Sequence, residues 1–480
     1  MRKLLAIATV AGVAIAGPVL AQSAQAPWGR TIPTGPGDRV YTADQFSNTV
    51  SVVDPTAGKL LGVIRLGDTQ PTTFSPLYKG QVLVHGLGAS PDGKTLAVIS
   101  IGSNAVSFID TETNTVKHTT YIGRSPHEAF FTPDGKALWV TVRGEDYVSV
   151  LDPVTYQETA RLKTPAGPGM TIFSPDGKYG YVCSSFNPEL TVFDVATHAV
   201  AGKVAQPSPF CPNIAATADG KQVWYTLKDI GKTVVIDARP PFATLKVLDT
   251  GPITNHVNFA ATPKGQFAYV TVGGLGEIQV YRTDTFEKTA TIPVGRLPHG
   301  TWPSSDGRTL FVGLENDDEL AVIDTRTNTV VQKIPVGQAP QAITFVAGAV
   351  GADVKGADQA HLQPLGAAAN TTKLSLTADG KAVSTITLFD QGVIQILQGG
   401  VAGLKPKQAY QLVLTSQPDG GGEVEPLANF TTNPAGGAVV SASGPIRQIV
   451  QDRAPAFRRY LAIREGAPDA PGPIVQAQQR

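Results

Sequence analysis

Four of the seven histidines in this 480-residue chain lie at nearly the same distance before a recurring glycine. His85, His127 and His299 precede that glycine by eight residues, and His256 precedes it by nine, an offset that a β-bulge would absorb. Neutral imidazoles that converge on one point form a borderline-soft site suited to copper, zinc or iron. We therefore predict that these four residues form one transition-metal site, with copper as the preferred metal.

Two other interpretations of the histidines remain open. A polar loop before a strand can use an imidazole simply to hydrogen-bond the backbone, and a pocket can bind a ligand without a metal. In the repeats that lack a histidine, the corresponding residues are Gly169, Asn213 and Gln341. The remaining histidines fall outside this phase and are expected to be solvated bystanders: His118, His198 and His361.

Charged residues in loops of the same repeats are expected to lie near the histidines. Arg143, Lys228 and Glu315, together with Gln341, are candidates for binding a cofactor or a carboxylate or phosphate substrate, although loop charges are commonly only solvated. The chain has no Gly-x-Ser-x-Gly elbow, Walker loop or His-Glu-x-x-His helix, which disfavours a serine hydrolase.

The two cysteines, Cys183 and Cys211, fall in neighbouring repeats. In an oxidising compartment a disulfide between them is expected. Two unpaired buried thiols, or Cys211 as a soft metal ligand, are the alternatives.

The recurring glycines define the elements that must position these residues. The sequence SPDGK at 90–94 recurs as TPDGK at 132–136 and SPDGK at 174–178, with weaker copies further on. The spacing of 42 to 45 residues is typical of four-stranded propeller blades, with Asp-Gly in a hairpin turn. The segment near residues 39–66 contains only three predicted strands and lacks the first strand of a blade, which residues 342–346 would supply. This pairing predicts a closed seven-bladed β-propeller over residues 38–347.

Motifs within the repeats resemble a known family. Trp139-Val140-Thr141-Val142 and Tyr269-Val270-Thr271-Val272 resemble YVTN-type β-propeller repeats, a likeness that implies the fold and leaves the function open. The histidine arrangement is similar in part to the histidine ring of the nitrous oxide reductase propeller and to haem-binding propellers of nitrite reductases. Three repeats lack the histidine, however, and no Cys-x-x-Cys-His haem motif is present.

The flanking segments predict export and a second domain. Residues 1–26, with Arg2, Lys3 and an apolar run at 4–16, read as a signal peptide, so we expect a periplasmic or secreted protein without a transmembrane segment after cleavage. Residues 348–370 are expected to form a linker, 371–466 a small β-sandwich, and 467–480 a disordered tail.

Composition narrows the partners. Lys plus Arg and Asp plus Glu both total 39, so no excess of positive charge favours nucleic acid, and a small-molecule ligand or partner protein is expected. The sequence therefore predicts an exported all-β protein that binds a ligand, metal or protein at the axial mouth of the propeller. The alternatives are a copper-dependent oxidoreductase, or a metal-assisted lyase or lactonase with Glu128 or Glu315 as base.

Overall fold

The computed structural model describes residues 34–67, 82–262, 264–351, 356–390, 395–444 and 458–478. These residues form seven four-stranded antiparallel sheets and one eight-stranded sheet. The predicted all-β fold with a seven-bladed propeller is confirmed. In these segments no helix has the length and apolar character needed to cross a membrane. The predicted signal peptide lies outside the described residues.

Each blade is a meander whose first strand contacts the first strands of its neighbours around the ring. Blade one combines β1 (Arg39–Asp44), β2 (Thr49–Asp54) and β3 (Lys59–Arg65) with β28 (Pro340–Val346). Blade two consists of β4 (Val84–Ala89), β5 (Thr95–Ser100), β6 (Ala105–Asp110) and β7 (Thr115–Tyr121). Blade three consists of β8 (Pro126–Phe131), β9 (Leu138–Val142), β10 (Tyr147–Leu151) and β11 (Glu158–Lys163). Blade four consists of β12 (Pro168–Phe173), β13 (Tyr179–Ser184), β14 (Glu189–Asp194) and β15 (Val200–Ala205). Blade five consists of β16 (Ile214–Ala216), β17 (Gln222–Leu227), β18 (Lys232–Asp237) and β19 (Thr244–Asp249). Blade six consists of β20 (Thr254–Thr262), β21 (Gly265–Val272), β22 (Glu277–Arg282) and β23 (Lys288–Pro293). Blade seven consists of β24 (Pro298–Pro303), β25 (Thr309–Leu314), β26 (Glu319–Asp324) and β27 (Thr329–Pro335).

Blade one closes the ring by joining the two ends of the repeat array. Strand β28 pairs antiparallel with β1, with Val40 opposite Phe345 and Thr42 opposite Ile343. The pairing gives β1 a hydrogen-bonded neighbour on both sides and removes an exposed sheet edge.

The repeated turn between the first and second strands satisfies its own polar groups. In blade two, the Ser90 hydroxyl donates to the Asp92 carboxylate and accepts the Thr95 N–H, while Asp92 also accepts the Lys94 N–H. Gly93 follows at a φ of 71°, in the left-handed region that glycine enters without steric cost. The repeated spacing of these turns along the chain thus sets where each first strand ends.

The C-terminal domain is one curved sheet rather than two stacked sheets. Its strands run in the order β33-β32-β35-β36-β29-β30-β31-β34, and the two end strands contact each other, so the sheet nearly closes into a barrel. The bounds are β29 (Thr371–Ala378), β30 (Lys381–Asp390), β31 (Gln395–Val401), β32 (Ala409–Thr415), β33 (Val424–Thr431), β34 (Ala438–Gly444), β35 (Tyr460–Ala467) and β36 (Ala470–Gln478). The expectation of a disordered tail is wrong for β36, because this strand pairs with both β35 and β29.

The segment between the domains lies against blade one. It contains the short 3₁₀ turns Ala357–Gln359 and Gly366–Ala369. Asp358 forms a buried ion pair of 2.8 Å with Arg39, and Gln363 pairs with the backbone of Val63. The described part of this segment is therefore docked, in contrast to the expected free linker.

Blades four and five are joined covalently. Cys183 on β13 and Cys211, just before β16, form a disulfide whose sulfurs are buried. The bond leaves no thiol among the described residues for metal binding.

Candidate functional site

The histidines lie where the innermost strands begin, and the strand register divides these positions into two rows. The first row contains His85, His127, Gly169, Pro212, Asn255, His299 and Gln341. The second row is the residue after each: Gly86, Glu128, Met170, Asn213, His256, Gly300 and Ala342. A β-bulge interrupts the pairing at these positions in β4, β8, β12, β20 and β24. The bulge lets two successive side chains lie near the axis, which a regular strand would place on opposite faces.

Threonines of the second strands hold the bulges in place. Thr141 accepts the N–H of Glu128 and donates to the carbonyl of Gly169 in the next blade. Thr271 likewise accepts the N–H of His256 and donates to the carbonyl of His299. In blades three and six, the threonine of the YVTN-like motif therefore links the bulge to the neighbouring blade.

This register corrects one sequence expectation. The one-residue offset of His256 from the glycine is not absorbed by a bulge, because Asn255 rather than His256 occupies the position equivalent to His127. His256 is instead equivalent to Glu128, as their matching bonds to threonine hydroxyls also indicate. Asn213 is a second-row residue for the same reason.

The four histidine rings nonetheless form one continuous cluster. Ring centroids are 4.4 Å apart for His127 and His85, 6.1 Å for His85 and His299, and 4.7 Å for His299 and His256. All four residues are buried. The structure thus brings together the residues that the repeat phase selects.

Backbone carbonyls orient two of the rings. Nδ1 of His127 lies 2.7 Å from the carbonyl oxygen of Gly169, and Nδ1 of His299 lies 2.9 Å from that of Gln341. A carbonyl only accepts, so each Nδ1 carries the proton and each Nε2 presents a lone pair. His85 places its Nδ1 3.1 Å from Oε1 of Gln45.

Two imidazole nitrogens and a carboxyl oxygen lie close to one another in the cluster. Nε2 of His85 lies 2.9 Å from Nε2 of His127. Among the described residues, His85, His127 and Glu128 bring their ligand atoms within 4.8 Å of one another. The sequence did not single out Glu128 as a candidate metal ligand, although its position directly after His127 in a bulge was the available signal.

Burial controls the charge of these groups. Desolvation lowers the pKa of His85, His127 and His256 well below the ordinary value, and lowers that of His299 to about 3. Burial also raises the pKa of Glu128 to about 8, although the carboxyl accepts the Leu87 N–H. Without a metal, the cluster is therefore a set of neutral imidazoles beside a protonated carboxyl at pH 7.

The other candidate residues surround the cluster. The charge of Arg143 lowers the pKa of His85 and His127, and the charge of Lys228 lowers the pKa of His256 and His299. Burial lowers the pKa of Arg143 and of Lys228 and raises that of Glu315.

Glu315 accepts hydrogen bonds from the side chains of Gln341 and Gln398. Among the described residues, no ion pair involves Arg143 or Lys228. The guanidinium of Arg143 lies 6.0 Å from the ring centre of Phe186, and both cations are partly exposed.

The C-terminal domain covers part of the propeller face that carries the site. Gln398 bonds Glu315, and Thr387 donates to the carbonyl of Asn316, both in blade seven. Asn433 donates to the carbonyl of Lys228 in blade five. On the other side of the cluster, the second row lines an axial cavity of about 20 Å³. That space holds one water molecule or ion and is too small for an organic substrate.

The remaining histidines lie elsewhere. His118 stacks on Tyr156 with centroids 4.9 Å apart, and His198 packs edge-on to Trp139. His361 is exposed. Their separation from the cluster agrees with the expectation that they are bystanders.

Two solved structures share the fold at low sequence identity. Hydrazine synthase from Kuenenia stuttgartiensis aligns with a TM-score of 0.51 and 19% identity, over 57% of this chain and 92% of that chain. A functionally unknown protein from Desulfotomaculum acetoxidans DSM 771 aligns with a TM-score of 0.54 and 14% identity, over 64% of this chain and 98% of that chain. At these identities the likeness concerns the fold alone. No curated protein is similar enough to the chain to count as a match.

The sequence also matches a family model. The model described as "Lactonase, 7-bladed beta-propeller" matches residues 103–345, just over half of the chain. The family description agrees with the number of blades in the structure. The chain belongs to the lactonase family of seven-bladed β-propellers.

Proposed function

We propose that this is an exported protein that binds a transition metal, copper in the first instance, at the axial mouth of its propeller. The single observation that carries the proposal is the convergence of His85, His127 and Glu128 within 4.8 Å. His299 presents a further lone pair on a ring whose centroid lies 6.1 Å from that of His85. Neutral imidazoles bind metal without first losing a proton, and their second nitrogens are anchored as in known metal sites.

The spacing of the nitrogens supports copper(II). Two nitrogens 2.9 Å apart, each about 2.0–2.1 Å from one ion, subtend an angle of about 90° at that ion. Tetragonal geometry with nitrogen and oxygen ligands suits copper(II) or nickel(II), whereas tetrahedral zinc would need the nitrogens farther apart.

The experiment is a copper(II) competition titration of the metal-free protein, with element analysis of protein purified from its native compartment. We expect one copper per chain, and His127→Ala should weaken binding at least about 100-fold, because it removes a ligand rather than an outer partner. His118→Ala is the matched control and should bind as the wild type does. Absence of stoichiometric copper in wild type, or equal binding by His127→Ala, would contradict the proposal.

Family membership favours a second candidate function, the metal-assisted hydrolysis of a lactone. A bound metal would polarise the lactone carbonyl and activate water, while Arg143 and Lys228 would hold the carboxylate that forms. This candidate function is tested by measuring the hydrolysis of a γ-lactone and of a δ-lactone with a pH-stat. Hydrolysis should require copper and fall in Lys228→Met, with exposed Lys246→Met as the matched control. Equal rates with and without metal would exclude it.

A further inference from the structure

His256 differs from the other three histidines of the cluster in what its ring faces. Nδ1 of His127 and of His299 each face a carbonyl oxygen, whereas Nδ1 of His256 lies 3.2 Å from Nδ2 of Asn213. An amide nitrogen only donates, so Nδ1 of His256 must accept.

The orientation of the Asn213 amide is fixed by its other contacts. Oδ1 of Asn213 accepts the N–H of Val257 at 2.9 Å, and Nδ2 also lies 3.1 Å from the sulfur of Met170. Rotating the amide by 180° would point its NH₂ group at the N–H of Val257. The contact between Asn213 and His256 therefore has one direction, from amide to imidazole.

The tautomer of His256 follows from that direction. A neutral imidazole whose Nδ1 accepts carries its proton on Nε2. Coordination through Nε2 would require that proton to move to Nδ1, where it would meet the NH₂ group of Asn213. The strand register agrees, because His256 is a second-row residue while His85, His127 and His299 belong to the first row.

We infer that Asn213 holds His256 as the Nε2–H tautomer, so that His256 donates a hydrogen bond to a ligand at the cluster and is not a metal ligand. The part concerning a bound ligand rests on the proposed function. Lys228 lies on the same side of the cluster, since its charge lowers the pKa of His256 and His299, and Glu315 is the carboxyl whose charge acts on it. An N–H donor beside an ammonium selects a small anion, such as a carboxylate or azide, at an open position of the metal.

The tautomer can be tested without any metal. In the full-length protein labelled with ¹⁵N-histidine, long-range ¹H–¹⁵N spectra distinguish a protonated Nε2 from a protonated Nδ1, and His256→Gln assigns the signal. We expect a protonated Nε2 in wild type. Asn213→Asp replaces the donor with an acceptor and should move the proton to Nδ1, whereas Asn213→Ala should leave neither tautomer fixed. A protonated Nδ1 in wild type would overturn the inference whether or not copper binds.

The copper-loaded protein provides the second arm. The number of nitrogens coupled to copper(II) in electron paramagnetic resonance should be unchanged in His256→Gln and should rise by one in Asn213→Asp. Azide affinity should fall about 10-fold in His256→Leu and be kept in His256→Gln, which retains a donor. Loss of a coupled nitrogen in His256→Gln, or equal azide affinity in His256→Leu and wild type, would overturn the inference.

Discussion

At the scale of single residues, the partner of each Nδ1 assigns the role of the imidazole. Gly169 and Gln341 offer carbonyl oxygens, which leave lone pairs on Nε2 of His127 and His299. Asn213 offers an NH₂ group, which leaves a proton on Nε2 of His256. These three residues of one type therefore present two kinds of group, and hydrogen bonding rather than residue type makes the difference.

A buried acid in blade one gives a prediction at this scale. The Asp44 carboxylate accepts hydrogen bonds from Thr42, Thr49 and Ser51, yet burial raises its pKa to about 7. Between about pH 4 and 7 the unfolded carboxyl ionises while the folded one keeps its proton, so the stability of the fold falls as the pH rises.

We expect the ionisation of Asp44 to lower the free energy of unfolding by about 2–4 kcal/mol between about pH 4 and 7. Chemical denaturation of wild type and Asp44→Asn at several pH values measures it. The slope of unfolding free energy against pH should be shallower in Asp44→Asn, and parallel slopes for the two proteins would refute this prediction.

Repeat phase identifies part of the cluster from the sequence, and local register explains the part it misses. His85, His127 and His299 share one phase because each innermost strand begins at the same point before its turn. Counting residues back from the glycine cannot show that the hairpin of blade six is two residues longer than that of blade three, which makes His256 a second-row residue. It also cannot show that a bulge turns Glu128 towards the axis beside His127.

At the scale of elements, the hydroxyl of Thr141 connects the bulge of β8 to blade four. It satisfies the Glu128 N–H and the Gly169 carbonyl, and that carbonyl also accepts from His127. Thr141→Val keeps the shape of the side chain and removes these bonds. We expect a loss of about 1–3 kcal/mol in unfolding free energy, because a buried N–H loses its partner.

Copper binding should report the same change. Thr141→Val should weaken copper affinity about 10-fold, since the orientation of His127 depends on that carbonyl. Exposed Thr244→Val is the matched control for both measurements. Unchanged stability and affinity in Thr141→Val would show that the hydroxyl does not hold the bulge.

Closure of the ring gives the second prediction for the elements. A chain that ends at Gly337 lacks β28 and leaves β1 without its partner, so its thermal unfolding should begin at lower temperature and lead to aggregation. A chain that ends at Ala367 keeps β28 and the Asp358–Arg39 ion pair and should unfold cooperatively. Identical melting of the two truncated chains would contradict closure by β28.

The sequence is more informative about these elements than about their final arrangement. The repeated turns and their period account for six blades, because each turn fixes one hairpin, and the pairing of residues 342–346 with the N-terminal strands supplies the seventh. In the C-terminal domain, alternating residues predict strands but not which strands pair. β36 is Pro- and Gln-rich, and it is ordered by its neighbours β29 and β35 rather than by its own composition.

At the scale of the whole molecule, the C-terminal domain acts as a partial cover. It binds blades five and seven through Asn433, Thr387 and Gln398, whereas Arg143 in blade three stays partly exposed. A ligand would therefore approach from the side of Arg143.

Because the cover restricts access, copper should pass to a chelator faster from the chain ending at Ala367 than from the full-length protein. Equal transfer rates measured by absorbance would show that the domain does not shield the site.

The most direct test of the central claim is anomalous diffraction at the copper edge from crystals of the copper-loaded full-length protein. We expect one strong peak at the axial mouth, about 2.0–2.1 Å from Nε2 of both His85 and His127, with His256 outside the ligand set. Absence of a peak there, with the two nitrogens still 2.9 Å apart in a direct hydrogen bond, would contradict it.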